Sequence, residues 1–239
     1  MKQLQHAIEL GATMYIPATH EQLWEVTEGH KFPALKSVAV CLEDAVLEKD
    51  VQTAMVNLKH LLQRRADAPN LKSPAVFVRP RNIEMAKHIA DWDLNRSFSG
   101  MILPKFTLHN LMQWMDVLPP HMNLMPTLET REIFDMGHNI ELNQALKYDF
   151  HKTLCLRIGG NDLLSCLHLR RPKNSTIYQT PIGMLISQLS GDRRLFEADG
   201  DDELIRHDDG QRQSVVAVLA AEDRHIRQDH DRVLLDVRM

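Results

Sequence analysis

Apolar residues along this chain fall into two alternating patterns: short unbroken runs, and longer stretches with apolar positions three or four apart. The runs are residues 11–17 (GATMYIP), 37–46 (SVAVCLEDAV), 75–78 (AVFV), 100–105 (GMILPK), 123–130 (NLMPTLET) and 153–158 (TLCLRI). They are too apolar to have a solvent face and predict strands buried on both sides. The stretches 21–28, 48–65, 83–93, 107–118 and 131–148 predict the intervening helices. Val51, Ala54, Met55, Leu58, Leu61 and Leu62 make one face of the second. Leu108, Leu111, Met112, Met115 and Leu118 make one side of the fourth, and Ile133, Met136, Ile140, Leu142 and Leu146 are available for burial in the fifth. Pro69 and Pro74 bracket the loop before the third strand, and Pro119 and Pro120 stop the fourth helix. Strands alternating with helices predict a parallel sheet covered by helices.

Charge decides between the two ways of building such a sheet. An open doubly wound sheet gathers its site at one crevice, whereas a barrel draws site residues from the carboxyl ends of many strands. Here the second to sixth strands all end in charge: Glu43 and Asp44, Arg79 and Arg81, Lys105, Glu129, then Arg157 and Asp162. No Gly-x-Gly-x-x-Gly follows the first strand, and there is no phosphate-loop motif. The expectation is an α/β fold of the TIM (β/α)8 type, with strands one to six recognisable and the closing units atypical or missing. Residues 1–189 are expected to form the barrel domain. After about residue 189 the composition shifts to Asp and Arg, and no lysine follows Lys173. Residues 190–239 therefore read as an atypical charged tail, from a shifted reading frame or a truncated barrel end. Only 215–221 (VVAVLAA) and 232–237 (RVLLDV) in it are candidates for burial.

Composition narrows the partners. The 239 residues are 44% hydrophobic, enough for a sizeable core, and the net charge of -4 gives no basic surface for nucleic acid. There is no signal-like leader and no run of about 18 apolar residues, so a cytoplasmic location without a membrane partner is expected. Cys41, Cys155 and Cys166 show no Cys-x-x-Cys spacing and are expected to be free thiols buried in the fold.

Two carboxylates at neighbouring strand ends, Glu129 and Asp162, can hold a divalent cation. Oxygen ligation completed by water suits Mg²⁺, with Mn²⁺ as the alternative. The competing reading pairs Glu129 with an arginine and makes Asp162 the cap of a helix beginning near Leu163. Arg79 is placed to fork onto a substrate carboxylate or phosphate, or to form a salt bridge with Glu43 or Asp44. Arg81 is expected in solvent, and Lys105 is an ion-pair member or, in a different barrel chemistry, a Schiff-base lysine. No histidine spacing suggests a metal site, and no elbow or triad suggests a side-chain nucleophile.

Taken together, YIPAT, VCLEDAV, VRPRN, GMILPK, PTLET and LRIGGNDL, in this order over about residues 11–189, resemble the HpcH/HpaI aldolase and citrate lyase beta-subunit family of TIM barrels. The similarity is closest to that group's carbon–carbon bond lyases. The resemblance implies Mg²⁺ on Glu129 and Asp162, and Arg79 on the carboxylate or carbonyl of a 2-oxo acid. It further implies Glu43 and Asp44 organising water and charge, and substrate against Gly159 and Gly160. The implied activity is a Mg²⁺-dependent lyase acting next to a 2-oxo acid or acyl-type enolate, with a coenzyme A thioester as a candidate substrate and a homo-oligomer as the assembly. The alternative from another class is a catalytically impaired remnant or small-molecule-binding protein that lacks the closing strands and lid.

Overall fold

Among the described residues, seven parallel strands lie side by side in sequence order: β1 (Thr13–Pro17), β2 (Ser37–Cys41), β3 (Ala75–Arg79), β4 (Gly100–Leu103), β5 (Asn123–Leu128), β6 (Arg157–Ile158) and β7 (Leu219–Ala220). The helices are α1 (Leu23–Thr27), α2 (Val51–Asp67), α3 (Ile83–Ala90), α4 (Leu111–Val117), α5 (Met136–Asp149), α6 (Gly160–Cys166) and α7 (Pro181–Gly191). This computed structural model describes residues 4, 6–68, 73–120, 122–149, 153–191 and 219–220. Of the two apolar candidates in the tail, 215–221 contains β7, which pairs with β6, and 232–237 lies outside the described residues.

The sheet is curled into a barrel wall. In a flat sheet β1 and β6 would stand five strand spacings apart, roughly 24 Å. Instead the Arg157 guanidinium on β6 lies 5.0 Å from the ring centroid of Tyr15 on β1. The fold is thus of the TIM-barrel type. Among the described residues there is no eighth strand and no pairing that closes β7 on β1.

Curling explains why the strands are apolar throughout. Val38, Val40, Val76, Val78, Met101 and Leu103 point outward into a core shared with Ala54, Leu58, Leu61 and Leu62 of α2. Ala39, Phe77, Ile102 and Met125 point inward and pack with Leu4, Leu10 and Cys155. Burying each such aliphatic side chain contributes about 1.5–3 kcal/mol. Between β5 and β6 the alternation slips. Leu124 bridges to Thr153 and Thr127 pairs with Arg157, so four steps along one chain oppose three along the other. That extra residue is a bulge. It lets the neighbours Leu154 and Cys155 both enter the inner core and turns Arg157 inward.

Two helices differ from the pattern. The stretch 107–118 becomes helical only at Leu111, because Asn110 accepts from the Thr107 N–H and donates to the Lys105 carbonyl, closing a loop instead. The stretch 131–148 is not one helix. A 3-10 turn, Arg131–Phe134, ends at Asp135, whose backbone is extended and whose Oδ1 accepts from the N–H groups of Gly137 and His138 to start α5. Ile133, Leu142 and Leu146 are buried as expected, but the break rotates Met136 and Ile140 into solvent. No described helix is long and apolar enough to cross a membrane.

Candidate active site

Parallel register sorts the inward-facing residues into layers. Pro17, Cys41 and Arg79 are partners across β1, β2 and β3, and beyond them the chain continues from the carboxyl ends of the strands into loops. Those loops carry Glu43, Asp44, Lys105 and Glu129, and Asp162 follows in α6.

Arg79 is the hub. Its Nη2 lies 2.5 Å from Glu43 Oε2, 3.2 Å from Glu129 Oε2 and 3.5 Å from Asp44 Oδ2. Glu43, Arg79 and Glu129 are buried and Asp44 is exposed. Both expected partners and Glu129 are therefore on one guanidinium. Burial works against its charge, but Glu129, Tyr15 and Glu43 outweigh this and hold Arg79 protonated more firmly than a free arginine. Burial pushes the Glu129 carboxyl up to about 7, against the pull of Arg79 and of a backbone donor at Lys105. Burial also raises Glu43, with Arg79 opposing.

Lys105 contributes through its backbone. Its φ of 49° is in the left-handed region, and from there its N–H donates to Glu129 Oε1 at 2.7 Å. A non-glycine residue in that region costs about 1–2 kcal/mol. The Asn110 side chain on the Lys105 carbonyl secures it at 2.8 Å. The ammonium lies 3.5 Å from Glu43 Oε1 with its side chain 64% exposed, which is the ion-pair arrangement and lacks the desolvation that activates a Schiff-base lysine.

Glu129 and Asp162 face a common space at Gly159. A Cβ on Gly159 would lie 2.6 Å from Glu129 Oε2 and 3.3 Å from Asp162 Oδ2, so oxygens of both acids crowd the place a side chain would take. Asp162 is the third residue of α6 and not its cap, which is Gly159. Gly160 packs closely on its other side. A Cβ there would meet Ile177 Cγ1 at 2.6 Å, so its absence lets α6 pack on the 3-10 turn Ile177–Gln179. Among the described residues no three His, Cys, Asp or Glu side chains form a ready metal cage. Two carboxylates close to one glycine, with water and substrate completing the shell, nevertheless fit Mg²⁺, which keeps several non-protein ligands.

Arg81 is half-buried. Its Nη2 donates to the Val46 carbonyl at 2.6 Å, its Nε to the Leu42 carbonyl at 3.3 Å, and it pairs with Glu48, so it latches the loop that carries Glu43 and Asp44. Replacing Arg81 with alanine is expected to lower unfolding stability by roughly 1–2 kcal/mol. An unchanged urea midpoint would show that the latch contributes nothing. Beside this loop an open cleft of about 310 Å³ is lined by Arg81, Asn82, Ile83, Glu84, Pro104, Lys105, Asn110 and Trp114.

Two inward residues escaped sequence reasoning as site components. Tyr15 presents its ring to Arg79, at 5.9 Å, as well as to Arg157. Arg157 was legible only as a strand-end charge, although its place two residues before Gly159 gives the signal, since alternate strand residues share a face. Of the cysteines, Cys41 and Cys155 are buried and Cys166 half-buried; all are free. Burial raises Cys41 and pushes Cys155 up to about 11, so these two pack as thiols and are not thiolates.

The family model described as the C–C bond lyase of the TIM-barrel fold matches residues 4–195. Among solved structures, the Haloferax volcanii malate synthase lead(II) complex is similar with a TM-score of 0.58 and 12% identity, over 76% of this chain and 58% of that one. Protein CitE from Mycobacterium tuberculosis, in complex with magnesium and acetate, gives a TM-score of 0.49 and 18% identity, over 74% of this chain and 66% of that one. The chain thus spans less than two thirds of the length of either, and at 12% identity the likeness to malate synthase speaks for the fold alone. A search of curated proteins finds none that matches.

Proposed function

Because the chain belongs to the C–C bond lyase family of the TIM-barrel fold, we propose that it is a Mg²⁺-dependent lyase that cleaves or forms a carbon–carbon bond next to a 2-oxo acid or acyl-type enolate. The observation that carries this reading is the pair of carboxylates, Glu129 and Asp162, brought together at Gly159 beside a buried arginine. Glu129 and Asp162 would hold the metal, which supplies a Lewis acid for the enolate oxygen. Arg79 would take the substrate carboxylate by giving up part of its contact with Glu129 or Asp44, while Glu43 keeps the guanidinium aimed at the mouth. A fixed cation in a water-poor mouth stabilises developing negative charge more than water does. Glu43 and Asp44 would order the remaining water. Residues 1–189 would carry the site and the tail would supply β7. A coenzyme A thioester is the candidate acyl partner, and the exposed Met136, Ile140 and Met184 are apolar surface that a second copy would cover in a cytoplasmic homo-oligomer.

Mg²⁺ titration by calorimetry, with pyruvate and oxaloacetate present, tests the reading. The wild type is expected to bind and Asp162→Ala not to bind. The cation requires ionised Glu129, which in the metal-free chain holds its proton up to about pH 7. Affinity should therefore be flat above pH 7 and fall below it, about tenfold weaker at pH 6 than at pH 8, with proton release at the lower pH. Absence of binding by the folded wild type would sink the lyase reading. Binding without turnover would favour the catalytically impaired alternative.

A further inference from the structure

Arg157 is a buried cation that the lyase site leaves unused. It is 2% exposed, and its Nε and Nη1 have no hydrogen-bond partner among the described residues. Thr127, its register partner on β5, is 3% exposed, and its Oγ1 is also without a partner among them. The contrast with Arg79, which has three carboxylates around it, is one of charge: the Arg157 guanidinium faces the ring of Tyr15, which offers a π face and no anion. A buried guanidinium with no anion among the described residues is unfavourable, and an unmet hydroxyl beside it adds to the cost. The next alternate position beyond β6, toward the mouth, is Gly159, so this segment puts no side chain between Arg157 and the Glu129–Asp162 pair.

We propose that Arg157 and Thr127 form a carboxylate subsite one layer inside the barrel mouth. A carboxylate there accepts from the Arg157 guanidinium and from the Thr127 hydroxyl, and its negative charge balances the buried cation. This inference rests on the lyase reading, in which the reacting 2-oxo acid group sits at Glu129, Asp162 and Arg79. Arg157 then selects the substrate class: a dianion whose second carboxylate points into the barrel. A separate small carboxylate bound beside a monocarboxylic substrate has the same chemistry, and the experiment distinguishes the two.

The full chain is titrated with oxaloacetate and with pyruvate, which lacks the second carboxylate, at saturating Mg²⁺, as wild type, Arg157→Met and Thr127→Val. In parallel, thermal melting is followed with and without acetate in the absence of Mg²⁺. The expected result is wild-type binding of oxaloacetate about tenfold or more tighter than pyruvate. That preference should vanish in Arg157→Met and shrink in Thr127→Val, with pyruvate and Mg²⁺ affinities unchanged. Equal affinity for the two acids, together with an acetate-dependent rise in wild-type Tm that both variants lose, would support the subsite with a free carboxylate as its occupant. The same preference and the same acetate response in all three proteins would overturn it. Thr127→Val keeps the buried charge and the side-chain shape, so it reads the subsite even if Arg157→Met does not fold. Failure of wild-type Mg²⁺ binding would remove the lyase reading, while the metal-free melting series still reports on Arg157.

Discussion

Replacing Arg79 with methionine is expected to cost the folded chain about 3–5 kcal/mol and to lower kcat/KM by about 10²–10³-fold. The stability loss follows from what the guanidinium leaves behind. Glu43 and Glu129 are buried, and Asp44 reaches the same nitrogen, so the variant strands carboxylates where solvent cannot screen them. Its pH dependence is the diagnostic. Glu129 already titrates at about 7 with Arg79 present, and Arg79 pulls both glutamates down, so removing it raises both further. A carboxyl with a raised folded value binds its proton more tightly in the native state than in the unfolded chain. Stability therefore falls as pH rises from the ordinary value near 4.5 toward the raised one, and is flat above it. The gap between wild type and Arg79→Met should thus be small near pH 5 and widen toward pH 8 in metal-free melting experiments. Added Mg²⁺ should narrow it at pH 8 by supplying positive charge to the same acids. A gap that is independent of pH would mean that Arg79 supports the fold by packing alone.

How much of this was readable in the sequence depends on the range of the interaction. The strands were legible because a barrel wall is buried on both faces, and the acids stood out because each interrupts an apolar run. Arg79, Glu43 and Glu129 were placed at the same end of the sheet by that argument, and the structure joins them through one nitrogen. Features set by side chains far apart in sequence were not legible. Arg81 looked exposed because nothing near it in sequence needs it, but the carbonyls it holds, Leu42 and Val46, lie more than 30 residues earlier. The bulge that turns Arg157 inward depends on pairing with β5, which no periodicity within 153–158 records. The break at Asp135 was locally encoded, since an aspartate followed by Met-Gly-His can cap a new helix, but the apolar spacing across it hid the signal.

Gly159 offers the sharpest test of the metal pair, because alanine there would press directly on Glu129. Its φ of -82° is not in the left-handed region that favours glycine. The added methyl would stand 2.5 Å from Glu129 Cβ and 2.6 Å from its Oε2, closer than real contacts allow, and 3.3 Å from Asp162 Oδ2. Glu129 is held from the other side by the Lys105 N–H and by Arg79, so it cannot retreat without breaking one of them. Gly159→Ala is therefore expected to weaken Mg²⁺ binding by about 100-fold or more, at an overpacking cost to stability of about 1–3 kcal/mol. Gly160→Ala is the control one residue along. Its methyl would press on Ile177, an apolar contact away from the acids, so stability should fall by a similar amount while Mg²⁺ binding is kept. Calorimetry and urea unfolding on the two variants separate the effects. If both lose stability and both keep the metal, Glu129 and Asp162 do not share a cation. If only Gly159→Ala loses it, the position of Glu129 is what the cation depends on, and the glycine is there to leave room for that carboxylate.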